Sequence, residues 1–175
     1  MKDRELIRLF FVEGKENYAF QLIVKEHSRR LYWHIRRLVY DHHDTDDILQ
    51  ETFLKVYQNL QNFEGRSSLY SWMHRIATNE ALNHLKKKKT ESIDGKDELI
   101  ESLRSDPYFN GDEEYLHFLS VVKDLPEKQK LVFQLKYFEK LKYDEIAEML
   151  GGTVGSLKAS YHHAVKKIEL SIKGD

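Results

Sequence analysis

A chain of 175 residues can form one domain or two small ones, and 41% hydrophobic with 12% aromatic residues supplies packed cores, which argues against general disorder. With 8 Gly, 2 Pro and no Cys, long windows lack helix breakers, so an all-α fold is favoured, while disulfides and thiolate metal sites are excluded. The 28 Lys+Arg nearly cancel the 29 Asp+Glu, but their distribution is uneven. Residues 61–89 carry Arg66, Arg75 and the lysine run 86–89 against Glu64 and Glu80; residues 90–112 carry seven acidic groups against Lys96 and Arg104. Such asymmetry points to a nucleic-acid surface beside an acidic linker.

The opening stretch MKDRELIRLFFVEGK lacks the apolar core and small-residue cleavage site of a signal peptide. No apolar run approaches the roughly 18 residues of a membrane span. A cytoplasmic protein without membrane insertion is expected.

Residues 3–12 read as a short amphipathic helix with Leu6, Ile7, Phe10 and Phe11 on one side, ended by Gly14. A long helix follows over 16–40, where Phe20, Ile23, Val24, His27, Leu31, Ile35 and Leu38 recur at spacings of three and four. Arg29, Arg30, Arg36 and Arg37 fall largely off that stripe and read as a solvated face. Asp41, His42, His43 and Asp44 read as a loop rather than a metal site, because neighbouring loop residues point different ways.

Asp44 or Thr45 is expected to cap the next helix, with Asp46 and Asp47 in its first turn. Ile48, Leu49, Phe53, Val56, Tyr57 and Leu60 form its apolar stripe. Asp47, Gln50, Glu51 and Leu54 share another side. By pattern alone that side is a capped, solvated face.

A loop over 63–68 contains Gly65, which permits unusual backbone angles. Ser67 or Ser68 then caps a helix over 69–87 that buries Leu69, Trp72, Met73, Ile76 and Ala77. Arg75, Asn79 and Asn83 advance in steps of four as a polar ridge ending at Lys86 and Lys87. Asparagine and arginine suit base edges and lysine suits phosphate, whereas a lysine run is also an ordinary solvated helix end. The ridge, with the aromatics Tyr70 and Trp72 beside it, favours nucleic acid.

Residues 90–111 have no sustained period and read as an acidic linker between domains 1–89 and 112–175. In the second domain, Asp112 opens a helix and Pro126 takes a first-turn position in the next. A two-turn helix spans 143–150, Gly151 and Gly152 turn the chain, and Thr153 caps a last helix over 154–172. Short helix, glycine turn and capped helix make a helix-turn-helix. The outward side of the last helix offers Ser156, Lys158, Ser160, His162, His163, Lys166 and Lys167, together with the cap Thr153. These side chains can reach bases and phosphates in a major groove, although such patterns also occur as plain packing units.

Taken together, the chain resembles a bacterial RNA polymerase sigma factor of the extracytoplasmic-function (ECF) type of the sigma-70 family. The run TDDILQETFLKV at 45–56 resembles region 2.2, and FEGRSSLYSWMHRIATN at 63–79 resembles regions 2.3 and 2.4. LPEK at 125–128 and YDEIAEMLG at 143–151 resemble region 4.

The resemblance implies that Asp47, Gln50, Glu51 and Leu54 dock on the beta-prime clamp of core RNA polymerase. It implies that Arg75, Asn79, Asn83 and the 63–68 loop read the opened minus-ten element. Region 4 would read the minus-thirty-five element and meet the beta flap, and the acidic linker would follow the path of emerging RNA. An anti-sigma factor covering the docking face is a further implied partner. One departure stands out: relatives usually carry arginines where this chain has Ser160, His163 and Val165, which implies weaker phosphate binding there. No phosphate-cradling glycine loop, nucleophile motif or spaced ligand set appears, so neither an enzyme nor a cofactor is expected.

Overall fold

The computed structural model describes residues 3–65, 67–88, 100–101, 104–105 and 111–174. They contain no strand. The chain divides into two compact units, residues 1–95 and 96–175.

In the first unit, α1 (Asp3–Phe10), α3 (His42–Asn59) and α4 (Leu69–Lys88) all pack on the long α2 (Glu16–Val39), and α3 also packs on α4. Leu31 and Ile35 of α2, Val56 of α3, and Leu69, Met73 and Ala77 of α4 are fully buried. Each large side chain among them contributes about 1.5–3 kcal/mol of burial free energy. A 3-10 turn (Leu60–Asn62) closes α3, and Gly65 takes φ +70° in the loop that follows.

Several local expectations are corrected here. Tyr40 adopts φ 64° in the left-handed region and donates its N–H to Arg36 O, which stops α2 sharply. The chain re-enters a helix at once: Asp41 is the cap of α3, its side chain accepting the Asp44 N–H at 2.8 Å. His42 and His43 are therefore helical rather than in a loop, and neither Asp44 nor Thr45 is the cap. Thr45 is instead buried, its hydroxyl donating to Asp41 O.

Arg36, in the last turn of α2, is fully buried rather than solvated. Phe11 and Tyr57, expected to face inward, are 58% and 39% exposed. α1 ends at Phe10, one residue before Phe11, and Tyr57 lies on the rim with its ring edge against Phe10 and Phe20.

The second unit has α5 (Glu113–Lys123), α6 (Glu127–Tyr137), α7 (Tyr143–Leu150) and α8 (Val154–Lys173), with α8 packed on the other three. Val122, Leu125, Phe133, Ala164 and Ile168 form one core cluster. Val132, Leu135, Ile146 and Leu157 form the other, and Tyr161 touches both. Val165, one of the departures noted above, packs against the first cluster.

Asp112 caps α5 by accepting the Tyr115 N–H at 2.9 Å. Pro126 is the cap residue of α6, one place before the expected first turn, because its ψ of 139° is extended. Gly151 and Gly152 turn the chain at φ +77° and +91°, angles that side-chain-bearing residues rarely adopt. Of the expected linker, residues 90–99, 102–103 and 106–110 lie outside the described residues. Ile100, Glu101, Arg104 and Ser105 are helical, and Arg104 pairs with Glu113 at 2.8 Å.

Candidate functional site

The first candidate surface is built by the amphipathic pattern of α3. Burial of Ile48, Thr52, Phe53 and Val56 turns the opposite side outward. Asp47, Gln50, Glu51 and Leu54 are all exposed there, and Leu54 leaves half its surface in water. Two carboxylates, an amide and an exposed leucine within two turns suit a partner that is basic at one point and apolar at another.

α4 supplies the second surface. Its buried side holds Leu69, Met73, His74, Ala77, Thr78, Ala81 and Leu82, which leaves Arg75, Asn79 and Asn83 exposed one above another. Lys86 and Lys87 extend that ridge and are exposed. Lys88 belongs to a different contact, bonding Asp44 at 2.6 Å, while His84 Nε2 lies 3.0 Å from the same carboxylate. Burial pushes the Asp44 carboxyl up, but hydrogen bonds from Lys88 and His84 outweigh it and hold the group below its ordinary range. A cleft of about 290 Å³ separates the two surfaces, with Asp47 and Glu51 on one wall and Asn83 and Lys87 on the other.

At the start of α4, Ser68 Oγ accepts the Ser71 N–H at 3.1 Å and serves as the local cap. Ser67 is exposed, and Arg66 lies outside the described residues. The two aromatics singled out from the sequence are half-buried. The guanidinium carbon of Arg30 lies 3.8 Å from the Tyr70 ring centroid, and the Trp72 and Phe63 ring centroids are 5.2 Å apart.

In the second unit, Thr153 and Ser156 form a reciprocal capping box: Thr153 Oγ1 accepts the Ser156 N–H at 3.2 Å and Ser156 Oγ accepts the Thr153 N–H at 3.3 Å. Ser160 is half-buried and donates to Ser156 O at 2.9 Å. Their hydroxyls thus have local partners, whereas Lys158, His162, His163, Lys166 and Lys167 are exposed along α8. Lys158 Nζ stands 5.8 Å from the centroid of the Tyr143 ring.

Residues 23–91 match the family described as Sigma-70 region 2, and residues 117–168 match Sigma-70, region 4. The chain belongs to the sigma-70 family. Among its relatives are the RNA polymerase sigma-H factor of Pseudomonas aeruginosa, 28% identical over 98% of this chain and 94% of the relative, and the ECF RNA polymerase sigma-E factor of Haemophilus influenzae, 29% identical over 93% and 92%. The ECF RNA polymerase sigma factor SigW of Bacillus subtilis is 27% identical over 95% of each chain. The fold is that of CnrH, solved in complex with the cytosolic domain of CnrY (TM-score 0.62, 20% identity, 99% of this chain and 98% of that one). It is also that of the sigma factor RpoE of Bartonella quintana, solved with the anti-sigma factor NepR (TM-score 0.62, 18% identity, 89% and 98%).

This sigma factor is accordingly a non-enzymatic initiation factor of the ECF type that directs transcription by RNA polymerase from promoter DNA. Among the described residues no helix is long and apolar enough to cross a membrane.

Reading the sequence missed the groups that join α3 to α4. Lys55 lies 2.7 Å from Glu80 and 3.6 Å from Glu51, and only the i, i+4 spacing of Glu51 and Lys55 was a visible signal. The Asp44, His84 and Lys88 contact has a sequence separation of 44 residues between its ends, with nothing local to announce it.

Proposed function

We propose that the two units divide the work of promoter recognition, with residues 1–89 as region 2, 112–175 as region 4 and 90–111 as the acidic link. Asp47, Gln50, Glu51 and Leu54 dock on the beta-prime clamp of core polymerase. Arg75, Asn79 and Asn83 read the unwound minus-ten strand, with Lys86 and Lys87 on its phosphates. Phe63, Tyr70 and Trp72 line the loop where an unstacked base can lodge, flanked by Arg66 and Ser67.

In the second unit, Lys158, His162, His163 and Lys166 meet the minus-thirty-five duplex, with Thr153, Ser156 and Ser160 shaping the start of the helix, and the unit touches the beta flap. The factor works in the cytoplasm. By analogy with the structural neighbours solved with partner proteins, an anti-sigma factor covers the docking face when the factor is idle.

The observation that carries this reading is the exposed acidic face of α3 adjoining the exposed asparagine ridge of α4 across one cleft. Run-off transcription with core polymerase on a genomic promoter library tests the whole; no initiation above core alone overturns it. Asp47→Lys with Glu51→Lys tests the docking face. Core affinity should fall at least about tenfold, the scale set by two lost charge-assisted contacts, with the helical signal unchanged. Wild-type core affinity in that variant removes the docking assignment.

A further inference from the structure

α4 is held against its neighbours by contacts of two kinds. Among the side chains that α4 buries, Ala77, Thr78 and Ala81 are too small to interlock deeply with a neighbouring helix, although Leu82 beside them is large. At those three positions the helices can approach closely, with little to resist rotation about the axis. At the rim, two ion-pair bridges cross between the helices. Lys55 Nζ reaches Glu80 Oε2 at 2.7 Å, and Asp44 Oδ2 receives Lys88 Nζ at 2.6 Å and His84 Nε2 at 3.0 Å. Glu80 is only 17% exposed, so its charge is partly shielded from water and the contact is worth more than an open surface pair. Glu80 also sits directly after Asn79 and three residues before Asn83, so whatever turns Glu80 turns both asparagines.

We propose that Lys55 and Glu80 are positioning residues for promoter reading: their bridge sets the rotation of α4 and thereby the direction in which Asn79 and Asn83 meet the unwound strand. The inference rests on the reading of α4 as the minus-ten reader. Asp44, His84 and Lys88 hold the far end of the same helix. Glu80 is the better residue to probe, because Lys55 also faces the docking carboxylate Glu51 at 3.6 Å and its replacement moves core affinity as well.

The test uses holoenzyme assembled from the full chain and saturating core polymerase, on a promoter recovered by the run-off selection. Single-base variants of its non-template minus-ten strand are run in parallel, and opening is read by permanganate reactivity of unpaired thymines. Glu80→Gln should lower opening about three- to tenfold and shift the ratio of opening between the promoter and its variants, with core affinity held within about twofold. Lys55→Gln combined with Glu80→Gln should open no worse than Glu80→Gln alone, as expected for two halves of one contact.

An unchanged base preference in Glu80→Gln, whether opening falls or not, makes the bridge merely structural and overturns the proposal. Asn83→Ala is the control on the underlying reading. If it loses opening while Glu80→Gln behaves as wild type, the bridge proposal alone fails. If Asn83→Ala also opens normally, the assignment of α4 fails and the proposal falls with it. Should Glu80→Gln not be folded at the assay temperature, Lys55→Gln at the more exposed end supplies the same measurement. An altered base preference there supports the bridge and an unaltered one overturns it.

Discussion

The carboxylate of Asp3, the first residue of α1, accepts the backbone N–H of Leu69 at 3.0 Å, so the start of one helix caps the start of another 66 residues later. Four N–H groups at a helix start have no partner within the helix, and here Ser68 and Asp3 answer two of them. The cap also ties α1 to the helix assigned to promoter reading. Asp3→Ala should destabilise the first unit by about 0.5–2 kcal/mol, whereas Asp3→Asn should cost less, because an amide oxygen still accepts. Urea unfolding of the full chain followed by circular dichroism measures both. Equal losses in the two variants would mean that the charge, not the cap, matters.

A second buried contact joins α2 to α4. Thr78 Oγ1 donates to His74 O at 2.8 Å and lies 2.8 Å from His34 Nε2, with all three residues nearly excluded from water. The His34 and His74 rings lie against each other with centroids 3.8 Å apart. Thr78→Val keeps the shape but removes the hydroxyl, leaving a buried ring nitrogen short of that partner. A loss of about 1–3 kcal/mol is expected. Thr78→Ser keeps the hydroxyl and should retain more of the stability, which the same unfolding experiment reads.

Burial lowers the pKa of His27 below its ordinary value, with Asp3 and Glu26 opposing that shift and Arg30 reinforcing it. The ring is 5% exposed and stands 6.0 Å from Tyr70, which itself carries Arg30 on its face. In the unfolded chain the imidazole takes a proton near pH 6.5; in the folded chain it does so at lower pH. Between those values the unfolded state binds more protons, so His27 makes stability fall as pH drops below about 6.5. His27→Phe removes that contribution and should flatten the profile between pH 7.5 and 5.5 relative to wild type. A profile of the same slope in both proteins would show that other groups control acid sensitivity.

These contacts separate what local pattern conveys from what it does not. The spacing of Ile23, His27, Leu31 and Ile35 marks α2 almost to its last residue, and Thr153 marks the start of α8, because both signals lie within a few residues of one another. The exposure of Asp47, Gln50, Glu51 and Leu54 follows from the same periodicity. Arg36 looked like part of a solvated arginine face, yet it is fully buried, which its own helical spacing does not announce. The pairing of Asp3 with Leu69 and of Lys55 with Glu80 is likewise set by how helices meet, which a window of ten residues does not contain. Tyr70 and Trp72 were legible as aromatics beside a basic ridge, but not the share of each ring taken up by Arg30 and Phe63.

Lys166 and Ser156 both lie on α8, in different surroundings. Lys166 is exposed almost three turns beyond Ser156, while the Ser156 hydroxyl is held in the capping box with Thr153. A lysine that meets a phosphate releases a counterion when it binds. Lys166→Ala should therefore lower the slope of log affinity against log salt by about 1 on promoter DNA containing the minus-thirty-five element, with base preference intact. Ser156→Ala should leave that slope alone and instead lower the stability of the second unit, because it removes one half of the box. Holoenzyme binding at several salt concentrations, set beside the thermal midpoint of each free variant, separates the two. An unchanged salt slope in Lys166→Ala would place that lysine off the phosphate backbone and restrict the DNA-facing side of α8 to its first turns.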